Sequence, residues 1–168
     1  RNSSEMESSP TESISGEARA GWISTLSTSD PDLLETLWRK LWEITPEGTP
    51  KYRVIRPSEH GLVMVRGKSG GSGRRFNLGE MTLTRCTVQL VDDVAGTGYV
   101  QGRNKQHAER AAVIDALMQS PRWSETLDRE VIQPLVQSKQ EQKVETAKKI
   151  AATKVDFFTM TRTRVDKI

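Results

Sequence analysis

The chain has 168 residues, a formal net charge of +3 and 35% hydrophobic residues, with a mean hydropathy of -0.59. That is room for about one domain with extensions, whose core is small relative to its surface, so further burial is expected from a partner. No apolar run approaches the ~20 residues of a membrane span, the first residues lack the order of a secretory signal, and the single cysteine, Cys86, excludes an internal disulfide; the cytoplasm is the expected compartment.

Residues 1–15 are rich in serine and acid, with Pro10 and few apolar side chains, and read as a flexible acidic leader. Order is expected from Gly16, in a short helix around Trp22, Ile23 and Leu26. A second helix opens with Asp30 as N-cap and Pro31 at the first helical position. Its apolar stripe is Leu33, Leu34, Leu37, Trp38, Leu41 and Trp42, a spacing that predicts core packing, and Pro46, Gly48 and Pro50 close it.

From Lys51 the period changes to that of strands. Tyr52, Val54 and Ile55 predict one strand, Glu59 to Gly61 a turn, and Leu62 to Val65 the return of a hairpin. A glycine-rich loop, Gly67 to Gly79, leads to a third strand through Met81 and Leu83. The apolar phase then moves to Cys86, Val88 and Leu90, which implies a bulge or bend near Arg85 or a switch to helix there. Asp92 to Gly98 reads as another turn and Tyr99 to Gln101 as a last short strand.

At Gly102 a turn is expected, with Asn104 capping an alanine-rich helix whose Ala111, Ile114, Leu117 and Met118 face the core. Pro121 and Trp123 mark a break. Ser124 is then expected to cap a helix holding Leu127, Val131 and Ile132, with Pro134 bending it or ending it. Lys139 to Lys154 has strong helix formers but a thin apolar stripe, as an arm would. The elements together predict an α+β fold: a small antiparallel sheet packed by helices, with an extended C-terminal helical arm. The expected division is a leader at 1–15, a core domain at 16–136, and an arm with an aromatic docking tail at 137–168.

Charge is unevenly distributed. Between Lys51 and Arg75 seven bases (Lys51, Arg53, Arg56, Arg66, Lys68, Arg74, Arg75) face Glu59 alone, so an anionic neighbour is expected. Arg66, Lys68, Arg74 and Arg75 in the glycine loop are candidates for phosphate, or for acids on another subunit. Arg103, Lys105 and His107 crowd a helix start that already carries the positive end of a dipole, an arrangement that favours an anion or a partner carboxylate. His107 is either a proton carrier or a structural hydrogen-bonding residue. Glu109 and Asp115 are expected to pair with Arg103, Arg110 or another chain. Val155, Phe157, Phe158 and Met160 form an apolar tail expected to dock into a partner rather than fold back.

Several motifs fail on spacing. GLVMVRGKS, Gly61 to Ser69, has five residues between its glycines where a phosphate-binding Walker loop has four, and lies in a predicted strand. GTGYVQG misses the dinucleotide spacing by one residue. His107 and Glu109 form half of a zinc-deaminase signature without its P-C-x-x-C. No metal site and no cofactor of its own are expected for this chain.

The run VQGRNKQHAERAAVIDALMQ (Val100 to Gln119), with LTRCTVQL (Leu83 to Leu90) and VDFFTMTR (Val155 to Arg162), resembles the PhnG family, the small G subunits of bacterial carbon-phosphorus lyase core complexes. The resemblance runs from about Trp22 to Arg162. It implies an accessory subunit that acts with PhnH, PhnI, PhnJ and PhnL, PhnI most directly, in a cytoplasmic hetero-oligomer with duplicated subunits. It also implies the reaction: the ribose-triphosphate part of ATP is transferred to methylphosphonate, adenine leaves, and ribose 1-methylphosphonate 5-triphosphate forms. ATP is then a substrate of the complex, and the isolated chain is expected to be inactive. The resemblance transfers no catalytic residue, and no nucleic-acid or membrane partner is implied. Two rival readings are a stand-alone nucleotide- or RNA-binding module using the basic loop, which lacks stacking aromatics beyond Tyr52 and Phe76, and an independent phosphotransferase.

Overall fold

The structure is a computed structural model that describes residues 16–68 and 73–162, with side chains to residue 152. The acidic leader and the side chains of Val155, Phe157, Phe158 and Met160 therefore lie outside the described residues. Helices α1 (Gly16–Ser27) and α2 (Pro31–Ile44) precede strands β1 (Tyr52–Lys68), β2 (Arg75–Leu90) and β3 (Ala95–Gln101). Helices α3 (Lys105–Met118), α4 (Pro121–Leu127) and α5 (Gln133–Arg162) follow, a π-helical turn at Asp128–Ile132 joining the last two. The strands form one antiparallel sheet in the order β1-β2-β3, so the expected α+β class is the one observed.

Helix starts follow the capping chemistry read from the chain. Asp30 Oδ1 accepts the amides of Asp32 (2.8 Å) and Leu33 (3.2 Å), with Pro31 at the first turn where its missing N–H costs nothing. Asn104 Oδ1 accepts the His107 amide at 2.9 Å, after Gly102 turns the chain with a φ of +86. In α2, Leu34, Trp38 and Leu41 are buried as the stripe predicts. Trp42 stands edge-on to Trp38 (5.3 Å) and to Trp123 (5.6 Å), tying α2 to α4.

Helix α3 is the centre of the fold. Every residue from Ala111 to Met118 is buried, because the sheet covers one side of the helix and α1, α2 and α4 cover others. Its contact with the sheet is unusually close. A Cβ built on Gly96 would sit 2.1 Å from Ala112 O, and one on Gly98 2.0 Å from Ala108 O. Only hydrogen-sized side chains on β3, facing the Ala108, Ala112 and Ala116 row, allow the strand backbone to lie against the helix backbone.

Several local expectations are corrected. Glu59 to Gly61 is not a turn: β1 runs unbroken to Lys68, which pairs with Arg75 of β2. β1 absorbs its extra residues as bulges near Ile55 and Pro57, between Val54/Arg56 and Arg56/Glu59. The irregularity expected near Arg85 is thus carried by the opposite strand, while β2 continues as a strand and buries Thr84, Cys86, Val88 and Leu90 in strict alternation. Asp92 to Gly98 is not one turn either, since the chain reverses at Val91–Val94, with Asp93 at a φ of 65, and Gly96 and Gly98 already belong to β3. Finally Ser120, not Ser124, is the N-cap of α4, and Pro134 does not end the helical run. A proline ring clashes with the carbonyl four residues back; the π turn, in which the Gln133 amide reaches Asp128 O, sits just before it and gives the extra room.

Candidate functional site

The candidate residues fall into two groups on different parts of the sheet. Arg66 and Lys68 end β1, Arg75 begins β2 and Arg74 directly precedes it; Lys68 pairs with Arg75 in register, and all four are exposed. The structure thus gathers the basic loop residues at the tip of a long two-stranded ribbon. Arg103, Lys105 and His107 sit at the start of α3, which meets β1 where Ser58 Oγ donates to Lys105 O at 3.1 Å. The ribbon between them spans about ten residues, on the order of 30 Å, so the two groups do not form one site.

His107 is 4% exposed, with Nε2 3.0 Å from both Leu26 O and Ser29 Oγ. A carbonyl only accepts, so Nε2 carries the proton, and Nδ1, which has no partner among the described residues, is the bare nitrogen. Burial pushes the imidazole pKa below its usual value, against the raising influence of the Leu26 carbonyl and Asp30. The structural alternative for His107 is therefore the one the geometry supports: it clamps the end of α1 to the start of α3. A cavity of about 90 Å³ beside it is lined by Asp32 and Glu35 from α2, by the cap residue Asn104 and by Arg110 from α3. Arg110 is occupied there, 3.3 Å from Glu35 Oε2 and 4.6 Å above the Trp38 ring. With two carboxylates on its wall, this cavity is poorly suited to a phosphate.

The sign of the His107 shift gives a prediction. A histidine whose folded pKa is depressed binds its proton more readily when unfolded, so its contribution to stability is complete above ~6.5 and is lost as pH falls from there toward the folded value. Urea midpoints of the wild type should fall between pH 7.5 and 5.5, and His107→Gln should flatten that dependence. An equal slope in the variant would remove His107 as its source.

Two polar clusters were not foreseen in their actual form. Asp115 is completely buried and accepts four hydrogen bonds: from Arg19 Nε (3.1 Å), Arg19 Nη2 (2.7 Å), Trp22 Nε1 (2.9 Å) and the Thr97 amide (2.9 Å). Its partners are thus Arg19 and Trp22, not Arg103 or Arg110; the one legible signal was a lone acid inside an otherwise apolar helical run. Glu109 accepts the Tyr52 hydroxyl at 2.6 Å, and desolvation together with that bond pushes the phenol up to about 12. The phenol therefore stays protonated and donating. Cys86 is fully buried, 3.5 Å from Arg56 O, and burial raises its thiol as well, which suits packing rather than nucleophilic work.

Among the described residues no three His, Cys, Asp or Glu side chains gather as metal ligands would, and no helix is long and apolar enough to cross a membrane. The acids and bases of the interior are paired structurally, while apolar side chains stand exposed on the ribbon and along α5: Leu62, Met64, Phe76 and Leu78, then Val136, Val144 and Ile150.

Comparison with known proteins gives two findings. Residues 17–163 match the family described as phosphonate metabolism protein PhnG. The chain is also 43% identical over 115 residues to the alpha-D-ribose 1-methylphosphonate 5-triphosphate synthase subunit PhnG of Rhizobium meliloti (strain 1021), a match covering 67% of this chain and 72% of that relative.

Proposed function

We propose that this chain, which belongs to the PhnG family of phosphonate metabolism proteins, is a subunit of an alpha-D-ribose 1-methylphosphonate 5-triphosphate synthase and serves there as a scaffold. The observation that carries this reading is the 43% identity to a curated subunit of that enzyme. The structure supports the scaffold role, because its buried polar groups are committed to holding helices and strands together and its exposed apolar side chains lie on projecting elements. The substitution itself replaces adenine at the ribose anomeric carbon by a phosphonate oxygen, with the triphosphate retained. It calls for groups that stabilise a departing purine and neutralise polyphosphate. In this reading those groups come from the partner subunits, PhnI foremost and with it PhnH, PhnJ and PhnL, which this chain holds in place. ATP enters as a substrate of the complex.

The test is reconstitution from purified subunits, with adenine release from ATP and methylphosphonate as readout. Activity is expected only when this chain is present with its partners. Adenine release by the chain alone would make it an independent transferase, and an undiminished rate without it would remove it from the enzyme. A basic module acting alone would instead bind nucleotides or RNA without partners, with an affinity that falls steeply with salt.

A further inference from the structure

Resting on the subunit reading above, we infer that the distal β1–β2 ribbon is inserted into a cleft of another subunit, one with an apolar floor and an acidic rim. Beyond the level of Gly61 and Leu83 the two strands pair, among the described residues, only with each other, because β3 ends opposite Leu83 and α3 begins beside Ser58. The register places Leu62 and Met64 on the face that continues from the buried Thr84, and Val63, Val65 and Met81 on the other. After the irregularity at Val65/Arg66, Phe76 and Leu78 close over Gly67, whose added Cβ would be 2.9 Å from Leu78 Cδ1, and so extend that second face.

Leu62 (63%), Met64 (50%), Phe76 (46%) and Leu78 (62%) are thus exposed on the two sides of one thin element. A two-stranded ribbon has no core of its own to justify them, and exposed apolar side chains grouped on one projecting element are the kind of surface that marks an interaction site. A flat partner would cover one face only. Apolar side chains on both faces call for a cleft.

Charge selects the occupant. The Arg85–Glu59 pair is satisfied within the ribbon at 3.0 Å, which leaves Arg66, Lys68, Arg74 and Arg75 facing Glu80 as the single remaining acid of its described residues. A second copy of this ribbon would bring the same cations and be repelled, whereas an acidic rim is complementary. A nucleic acid would match the cations but not the aliphatic faces, with Phe76 the one aromatic ring on the ribbon. The bulges near Ile55 and Pro57 sit where the ribbon leaves the core, the place at which such irregularities re-aim a strand.

The experiment uses the full chain co-expressed with the other subunits. One variant replaces Leu62, Met64, Phe76 and Leu78 by Ser; a second reverses charge with Arg66→Glu, Lys68→Glu, Arg74→Glu and Arg75→Glu; a third carries a photo-crosslinking residue in place of Leu62. Because the replaced side chains are exposed, thermal midpoints of the isolated variants should stay within about 2 °C of wild type. Co-purification of the serine variant should weaken at least about tenfold, and that of the charge variant should weaken most at low salt. The crosslink should fall on an acid-rich segment of another subunit. Wild-type assembly by both variants, or a crosslink to this chain's own leader or to a second copy, overturns the ribbon's role and leaves the subunit reading intact. Failure of the unmodified chain to assemble overturns both.

Discussion

Gly98→Ala is expected to be the most damaging single substitution in the core, with a loss of at least about 3 kcal/mol and accumulation of insoluble chain. One methyl group would lie 2.0 Å from Ala108 O and 2.8 Å from Ala112 N, both backbone atoms of α3, and no rotamer change moves them. Relief requires β3 to separate from α3 along the Ala108, Ala112 and Ala116 row, which opens the layer containing Val88, Val100 and Ile114. Overpacking a well-filled core commonly costs 1–3 kcal/mol, and a clash between two backbones belongs at or above the top of that range. Against a total stability of about 5–15 kcal/mol, that loss populates the unfolded state measurably. Gly96→Ala should behave in the same way, while Gly61→Ala, with nothing within 4 Å of its added Cβ, is the control expected to shift the midpoint little. Urea denaturation of the three variants checks the order. A Gly98→Ala protein as stable as wild type would show that the helix–strand approach is looser than described.

The second large effect is expected at Asp115. Asp115→Ala removes a fully buried carboxylate and leaves the Trp22 indole N–H, the Thr97 amide and the Arg19 fork without their acceptor. Breaking a buried pair from one side typically costs ~3–5 kcal/mol, since the remaining groups keep their desolvation penalty. Asp115→Asn keeps one acceptor oxygen but points an amide N–H₂ at other donors, so its loss should be intermediate. Arg19→Met should cost less than Asp115→Ala, because the Trp22 and Thr97 bonds to Asp115 persist, although it leaves the buried carboxylate without its cation. Chemical denaturation and Trp22 fluorescence follow the series. A ranking with Arg19→Met worst would refute the view that Asp115 is the hub joining α1, β3 and α3.

Both effects concern the frame rather than the chemistry, and that is how the frame serves a subunit. With α3 buried on all sides and locked to β3 and α1, the sheet can project its ribbon and the helical run can continue through Pro134 into the exposed length of α5 without the domain yielding. Lys139 Nζ, 2.6 Å from Thr28 Oγ1, is among the last ties between α5 and α1. Beyond it every side chain described to residue 152 is exposed.

What the chain alone determined was whatever depends on neighbours a few residues apart. Asp30 with Pro31 and Asn104 after Gly102 announce helix starts because a cap needs only its own first turn; the Leu34, Trp38 and Leu41 stripe announces a buried face because helical spacing is local. The family was legible for a related reason, in a run from Val100 to Gln119 that couples a turn, a cap and a close-packing helix. What only the tertiary structure decided were partnerships across the chain: Arg19 and Asp115, 96 residues apart, and Tyr52 and Glu109, 57 apart. Glu59 to Gly61 looks like a turn until β2 offers sixteen residues to pair with, and the glycines Gly96 and Gly98 look like part of one until α3 lies against them. Turn chemistry is a weak local preference, worth a kcal/mol or so, and sheet pairing or close packing against a distant element outweighs it.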